Sequence, residues 1–228
     1  MTENQDLYKK AAAEKAVGYV EDGMVLGLGS GSTVYWLLKH LGELAGQGLN
    51  VKGIPSSSQT AGWAEEFGIP LTDFSEAGML DLAIDGADEI DPNFRLTKGG
   101  GGALVREKLL LVNARQSIII ADESKMVDRL GRFPLPVEVL QFAWQCTAVK
   151  IAALGAVPVL RKRDGRVFVS DNGNYILDCA FGSIANPVEL HNEIKLLTGV
   201  VETGLFIGLT DKVILAGSEG TMVINKTK

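Results

Sequence analysis

The sequence is poor in the residues that build metal and disulfide scaffolds. Among 228 residues there are two cysteines, Cys146 and Cys179, with no Cys-x-x-Cys spacing, and two histidines, His40 and His191. That set cannot supply a structural zinc cluster, and it does not indicate a disulfide framework. Positive charge is also in deficit: 22 Lys and Arg stand against 28 Asp and Glu, a formal net charge of −6. Nucleic acid and anionic membranes are recruited by a basic face, so neither is expected as a partner. An anionic small molecule remains compatible if a few placed cations hold it. Long apolar runs are missing too, none approaching the ~18 residues of a membrane span. The opening MTENQDLYKKAAAEKAV carries no apolar signal core. These absences lead us to expect a soluble, cytoplasmic protein.

What the sequence has in excess is glycine, 27 residues of 228, where ordinary usage is about 7%. Without a collagen-like period, such an excess points to tight turns and to backbone that comes close to a ligand. Along the chain, short apolar runs alternate with helical patterns: Met24 to Leu28, Val51 to Ile54, Leu82 to Ile84 and Ser117 to Ala121 read as strands. The segments between them read as helices, which predicts a mostly parallel sheet. After Asp128 the rhythm changes to a β-α-β-β-β-α-β series, with expected strands at Leu135 to Val139, Val157 to Leu160, Val167 to Ser170, Tyr175 to Asp178 and near Val200. Asp164-Gly165 and Asn172-Gly173 mark hairpin turns within it. Val213 to Leu215 and Met222 to Ile224 look like strands that return to the first sheet.

Four segments carry groups able to do chemistry. Gly27-x-Gly29-x-Gly31-Ser32-Thr33 lies between a strand and a helix, where free N–H groups and the helix dipole suit a phosphate. A tight turn capped by Ser is the alternative. A dinucleotide site is less suited, since Pro55-Ser56-Ser57-Ser58 ends the second strand without the acidic residue a ribose needs. Asp85-Gly86-Ala87-Asp88 sits at a strand's carboxyl end, where two carboxylates around a turn can handle hydroxyl protons. Glu89 and Asp91, which follow, read as a solvated acidic turn. Lys98-Gly99-Gly100-Gly101-Gly102 precedes a helix and can form an oxyanion site from an ammonium and backbone N–H groups; a flexible surface loop is the alternative. Glu107, early in that helix, is then a candidate general base, and Lys125, after the strand ending at Ala121, a candidate phosphate or hydroxyl contact. His40 and His191 read as solvated, and Trp36, Trp63 and Trp144 as packing.

Taken in order, GSGST at Gly29 to Thr33, DGADEID at Asp85 to Asp91 and KGGGGALVREK at Lys98 to Lys108 closely resemble the A-type ribose-5-phosphate isomerases. IADESK at Ile120 to Lys125, GRFPLPVEV at Gly131 to Val139, DNGNYILD at Asp171 to Asp178 and GVVETGLF at Gly199 to Phe206 continue the pattern. The resemblance implies an α/β fold, a Rossmann-like, mostly parallel sheet domain with an inserted smaller α+β, ferredoxin-like domain. The corresponding division is 1–131 plus 206–228 for the first and 132–205 for the second.

It also implies an aldose–ketose isomerase of the non-oxidative pentose phosphate pathway that interconverts ribose 5-phosphate and ribulose 5-phosphate through a cis-enediolate. Glu107, Asp85 and Lys98 would be catalytic. Ser30, Gly31, Ser32, Thr33, Asp85, Gly86, Ala87, Asp88, Lys98, Gly99, Gly100, Gly101 and Lys125 would bind substrate, and Lys9 would reach its phosphate. No metal or organic cofactor is implied, and the assembly would be a homodimer or homotetramer. The pattern's usual Ala after three glycines is here Gly102, from which we expect local flexibility with the site retained. A sugar-phosphate-sensing regulatory module of the same fold is the alternative, although it has no need for Lys98 and Glu107 together.

Overall fold

The strand Ser117–Asp122 is buried at all six of its residues, as befits a sheet covered on both faces. It lies inside a six-stranded sheet in the computed structural model, which describes residues 3–226. The strand order is Gly220–Asn225, Lys212–Gly217, Ser117–Asp122, Leu82–Asp85, Val25–Leu28 and Lys52–Pro55. The first two form an antiparallel hairpin and every other neighbouring pair is parallel. The class is therefore α/β with a mostly parallel central sheet.

Helical periodicity explains how this sheet is covered. In Ser32–Gly46, Val34, Leu37, Leu38 and Leu41 recur at the spacing of one helix face and all are buried. They join Ala12, Ala13 and Ala16 of the helix Glu3–Val17, and Ala64 of the helix Ser58–Glu66, against Leu26, Leu28, Ile84, Ile118 and Ile120 of the strands. Alanines on the first helix let it lie close to its neighbours. Leu110, of the helix Leu104–Val112, packs in a separate cluster with Ile54 and Leu80.

Two compact units divide the chain. The six-stranded sheet belongs to the first, made of the described residues up to Ala87, Arg106–Lys125 and those from Leu209 onward. Asp88–Val105 and Met126–Gly208 make the second. Its sheet is antiparallel, in the order Val200–Thr203, Leu135–Val139, Tyr175–Ala180, Val157–Leu160. Counted along the chain, that order is fourth, first, third, second, the ferredoxin-like arrangement. Leu135, Val137, Val139, Leu177 and Cys179 point to one face and pack with Ile151 of the helix Trp144–Ala152 and Ile194 of the helix Pro187–Lys195. Three short strands, Leu205–Phe206, Leu96–Thr97 and Glu89–Ile90, form a further small antiparallel sheet.

One expected strand is corrected. Val167 to Ser170 does not enter the four-stranded sheet; instead Arg166–Val167 pairs with Lys162–Arg163 around the Asp164-Gly165 turn. Phe168 breaks the ladder by packing its ring beside Gly102, and only an isolated bridge links Val169 to Tyr175. Among the described residues, no helix is long and apolar enough to cross a membrane.

Candidate active site

From Val25–Leu28 the chain moves to Lys52–Pro55 on one side, then crosses back to Leu82–Asp85 on the other. Such a reversal leaves a crevice outside the carboxyl ends of the two diverging strands, and open α/β sheets bind ligands there. The two turns that flank it in the first unit are Gly29–Thr33 and Asp85–Ala87.

The turns are tied together by the Asp85 carboxylate, which is 2% exposed. Its Oδ1 accepts the N–H of Ser30 at 3.1 Å and that of Gly86 at 2.7 Å. The approach is so close that a side chain at Gly29 would run into the Asp85 carboxyl group. Beneath the turn, the Ser30 hydroxyl lies 2.7 Å from that of Ser56 and 3.1 Å from that of Thr60, and donates to Ser57 Oγ at 3.0 Å. Thr60 in turn donates to the Gly29 carbonyl at 2.8 Å. The Ser-rich turn is therefore the support of the glycine turn, a role that needed the parallel pairing of the two strands to become visible.

The cap of the helix Ser32–Gly46 is Gly31, which makes no side-chain cap hydrogen bond, so Ser32 does not cap the turn. Gly31 and Ser32 are exposed and Thr33 is half-buried. Their position leaves a helix N-terminus facing the crevice edge, with a hydroxyl on each of its first two residues.

Also in the first unit, Lys125 is half-buried in the turn Glu123–Lys125 that follows the strand Ser117–Asp122, the parallel neighbour of Leu82–Asp85. Asp122 shapes that turn by accepting from both the N–H and the hydroxyl of Ser124. Glu107 is 4% exposed, in the first turn of its helix, where negative charge is favoured by the dipole. Lys9 is buried and donates to Asp6 at 3.4 Å.

In the second unit, Lys98 is 2% exposed, with its ammonium 5.6 Å from the centre of the Phe206 ring. Its N–H donates to the Gly204 carbonyl at 2.9 Å. Asp88 Oδ2 accepts the N–H of Gly100 at 2.8 Å, so a carboxylate and the glycine run that the sequence singled out separately are in direct contact. Gly102 is buried at φ 95° with the Phe168 ring where a side chain would sit. The expected flexibility at this fourth glycine is replaced by a packed position that only glycine fills without strain.

Two readings of polar residues are corrected. Glu89 and Asp91 are not solvated; they are 3% and 1% exposed. Glu89 accepts from the N–H groups of Gly131 and Phe133, both at 2.8 Å, and from the Thr97 hydroxyl at 3.1 Å. Asp91 accepts from the N–H groups of Asn93 and Arg95 and from the Arg95 side chain. Gly131 and Phe133 lie 42 and 44 positions from Glu89, beyond the reach of a local pattern, whereas the partners of Asp91 are two and four residues away in its own turn. His191 is also not simply solvated, since its Nδ1 lies 2.7 Å from the hydroxyl of buried Thr203; His40 sits 3.3 Å from Glu43.

Comparison with known proteins gives the geometry a family. The family model for ribose 5-phosphate isomerase A (phosphoriboisomerase A) matches residues 52–220. The chain belongs to the ribose 5-phosphate isomerase A family. Among its relatives, ribose-5-phosphate isomerase A 1 of Oceanobacillus iheyensis is 56% identical over 220 residues, which cover 96% of this chain and 98% of that one. The solved ribose 5-phosphate isomerase of Plasmodium falciparum is 39% identical with a TM-score of 0.94, over 98% of this chain and 100% of that one. A solved D-ribose-5-phosphate isomerase in complex with phospho-erythronic acid is 37% identical with a TM-score of 0.94, over 97% and 99% of the two chains. Membership is thus carried by nearly the whole chain.

Proposed function

We propose that this chain interconverts D-ribose 5-phosphate and D-ribulose 5-phosphate by moving one proton between C2 and C1 through a cis-enediolate. The observation that carries the reading is the switch point of the parallel sheet, where Asp85 and the uncapped glycine turn meet in a chain of the isomerase A family. The N-terminus of the helix Ser32–Gly46, with Gly31, Ser32, Thr33 and Lys125, holds the phosphate, and Ser30 shapes the turn through its bonds to Asp85 and Ser57. Asp85, with Asp88, moves a hydroxyl proton as the furanose opens. Glu107 then takes the C2 proton of the open aldehyde, the electron pair passes to the carbonyl oxygen at C1, the C2 hydroxyl gives its proton to that oxygen, and the same carboxyl returns its proton to C1, which leaves a ketone at C2 and a hydroxyl at C1. Lys98 and the N–H groups of the glycine run stabilise the charge on oxygen during the transfer. Neither a metal nor an organic cofactor enters the steps as written.

The same reading makes the partner a small phosphosugar, the assembly a homodimer or homotetramer and the location the cytoplasm. Phospho-erythronic acid, bound in the solved relative, is itself a phosphorylated sugar acid, consistent with a site that accepts both a phosphate and a developing anion. A regulatory module that only senses sugar phosphate is not favoured, since buried Glu107 and Lys98 would have no task in it.

The test is isomerisation of ribose 5-phosphate in excess EDTA, comparing the unaltered chain with Glu107→Gln. The variant is expected to keep its KM within a few-fold while kcat falls by about 10²–10⁴, the usual contribution of a positioned base. An unaltered chain that binds ribose 5-phosphate without turning it over would move the protein to the sensor class.

A further inference from the structure

The glycine run is held from behind by a residue that no sequence motif singled out. Arg161 lies just after the strand Val157–Leu160 in the second unit and is 10% exposed at its side chain. Its Nη1 donates to the carbonyl of Gly99 at 2.8 Å and to that of Gly100 at 3.2 Å. Its other edge pairs with Asp178, Nε donating to Oδ2 at 2.9 Å and Nη2 to Oδ1. The Arg161 backbone is fixed as well, its N–H donating to the Ile176 carbonyl at 2.9 Å and its carbonyl accepting from Phe168 at 3.0 Å.

A trans peptide is planar, so its C=O and the N–H of the next residue point in opposite directions. Holding the Gly99 carbonyl therefore aims the Gly100 N–H away from the guanidinium, and it is found on Asp88 Oδ2 at 2.8 Å. Holding the Gly100 carbonyl likewise aims the Gly101 N–H to the side opposite Arg161. A full positive charge on the two carbonyls also polarises these peptide groups and strengthens their N–H groups as donors. A run of four glycines has the greatest conformational freedom a chain can have, so its directionality has to come from outside it.

We propose that Arg161, oriented by its bidentate pair with Asp178, is a positioning residue for the isomerisation: it fixes and polarises the two peptide groups that follow Gly99 and Gly100, so that the Gly100 N–H holds Asp88 and the Gly101 N–H is aimed at the oxyanion. The proposal rests on the isomerase reading and adds a residue to it. Lysine cannot replace the guanidinium here, because it lacks the fork that spans two carbonyls and a carboxylate at once.

The experiment measures kcat and KM for ribose 5-phosphate, and inhibition by phospho-erythronate, in the full chain and in Arg161→Met, Arg161→Lys and Asp178→Asn. Phospho-erythronate offers fixed anionic oxygens where the substrate develops them only in the transition state. Arg161→Met is expected to lower kcat about 10- to 100-fold with KM within about threefold, below the 10²–10³ typical of deleting a donor outright. Phospho-erythronate is expected to weaken by a similar factor to kcat, Arg161→Lys to restore little, and Asp178→Asn to fall between. A purely structural role would lower the melting temperature without this split between kcat and KM. Should Arg161→Met fail to fold, Arg161→Lys and Asp178→Asn decide the matter by the same split. Folded variants with kcat within twofold of the unaltered chain, or with KM rising as much as kcat falls, would overturn the proposal. No turnover by the unaltered chain would overturn the isomerase reading itself.

Discussion

Asp85 Oδ1 accepts the Ser30 N–H at 3.1 Å, which ties the turn after one parallel strand to the end of its neighbour. The same oxygen holds Gly86, so one buried carboxylate fixes the backbone on both sides of the switch point. The proposed phosphate cradle and the proposed ring-opening acid are in this way a single hydrogen-bonded unit, and displacing either moves the other.

Gly29→Ala tests that coupling. The new methyl group would meet the Asp85 carboxyl group, which sits against two N–H donors. Overpacking of this kind costs about 1–3 kcal/mol. We expect a lower urea midpoint together with a fall in kcat and a rise in KM, because the cradle and Asp85 shift as one. A change confined to stability, with both kinetic constants intact, would show that the two turns move independently.

Ser32→Ala and Thr33→Ala should separate differently. Their hydroxyls stand at the first two residues of a helix whose cap is glycine and makes no side-chain cap bond. Phosphate contacts there are present in ground and transition states alike, so their loss acts on KM with kcat largely unchanged. Each charge-assisted bond contributes about 1.5–3 kcal/mol, which corresponds to a KM increase of roughly 10- to 100-fold. An effect confined to kcat would remove these residues from phosphate binding.

How much of this was legible depended on the range of the signal. Leu135–Val139 and Val157–Leu160 were readable to the residue because each is a short, mostly apolar, valine-rich run whose signal is local. The Gly29, Asp85 and Lys98 segments stood out as candidates because glycine beside a charged or hydroxyl residue is the pattern of backbone able to approach a ligand. Glu89–Ile90, Leu96–Thr97 and Leu205–Phe206 were not, since two residues show no period. Glu89 passed as a surface acid because its partners Gly131 and Phe133 lie 42 and 44 positions away. Arg161 stayed hidden for the same reason, being 62 and 61 positions from the carbonyls it holds.

Glu89→Ala should destabilise the second unit. Three donors converge on this carboxylate, two of them backbone N–H groups, and removing it leaves them buried without an acceptor. Each orphaned group costs about 1–3 kcal/mol, so a loss of roughly 2–5 kcal/mol is expected from urea unfolding followed by fluorescence. A loss below about 0.5 kcal/mol, the range of ordinary surface substitutions, would mean that the loop finds other acceptors.

The two thiols should differ sharply in reactivity. Burial, reinforced by the neighbouring Asp178 carboxylate, pushes the Cys179 thiol up to about 12, whereas Cys146 is exposed on its helix. Because the thiolate is the nucleophile, Cys179 has almost none of the reactive form at pH 8. Iodoacetamide at that pH should add one carboxamidomethyl group to the native protein, at Cys146, and two in urea, as read by intact mass. The same shift sets a pH dependence. The ordinary thiol value is 9.0, so between there and about 12 unfolding releases a proton that the folded state retains. The contribution of Cys179 to stability is therefore fully present below pH 9 and declines as pH rises toward 12, and Cys179→Ala should unfold with a shallower alkaline dependence than the unaltered chain. Two adducts on the folded protein at pH 8 would show that the second unit opens around this residue on the labelling timescale.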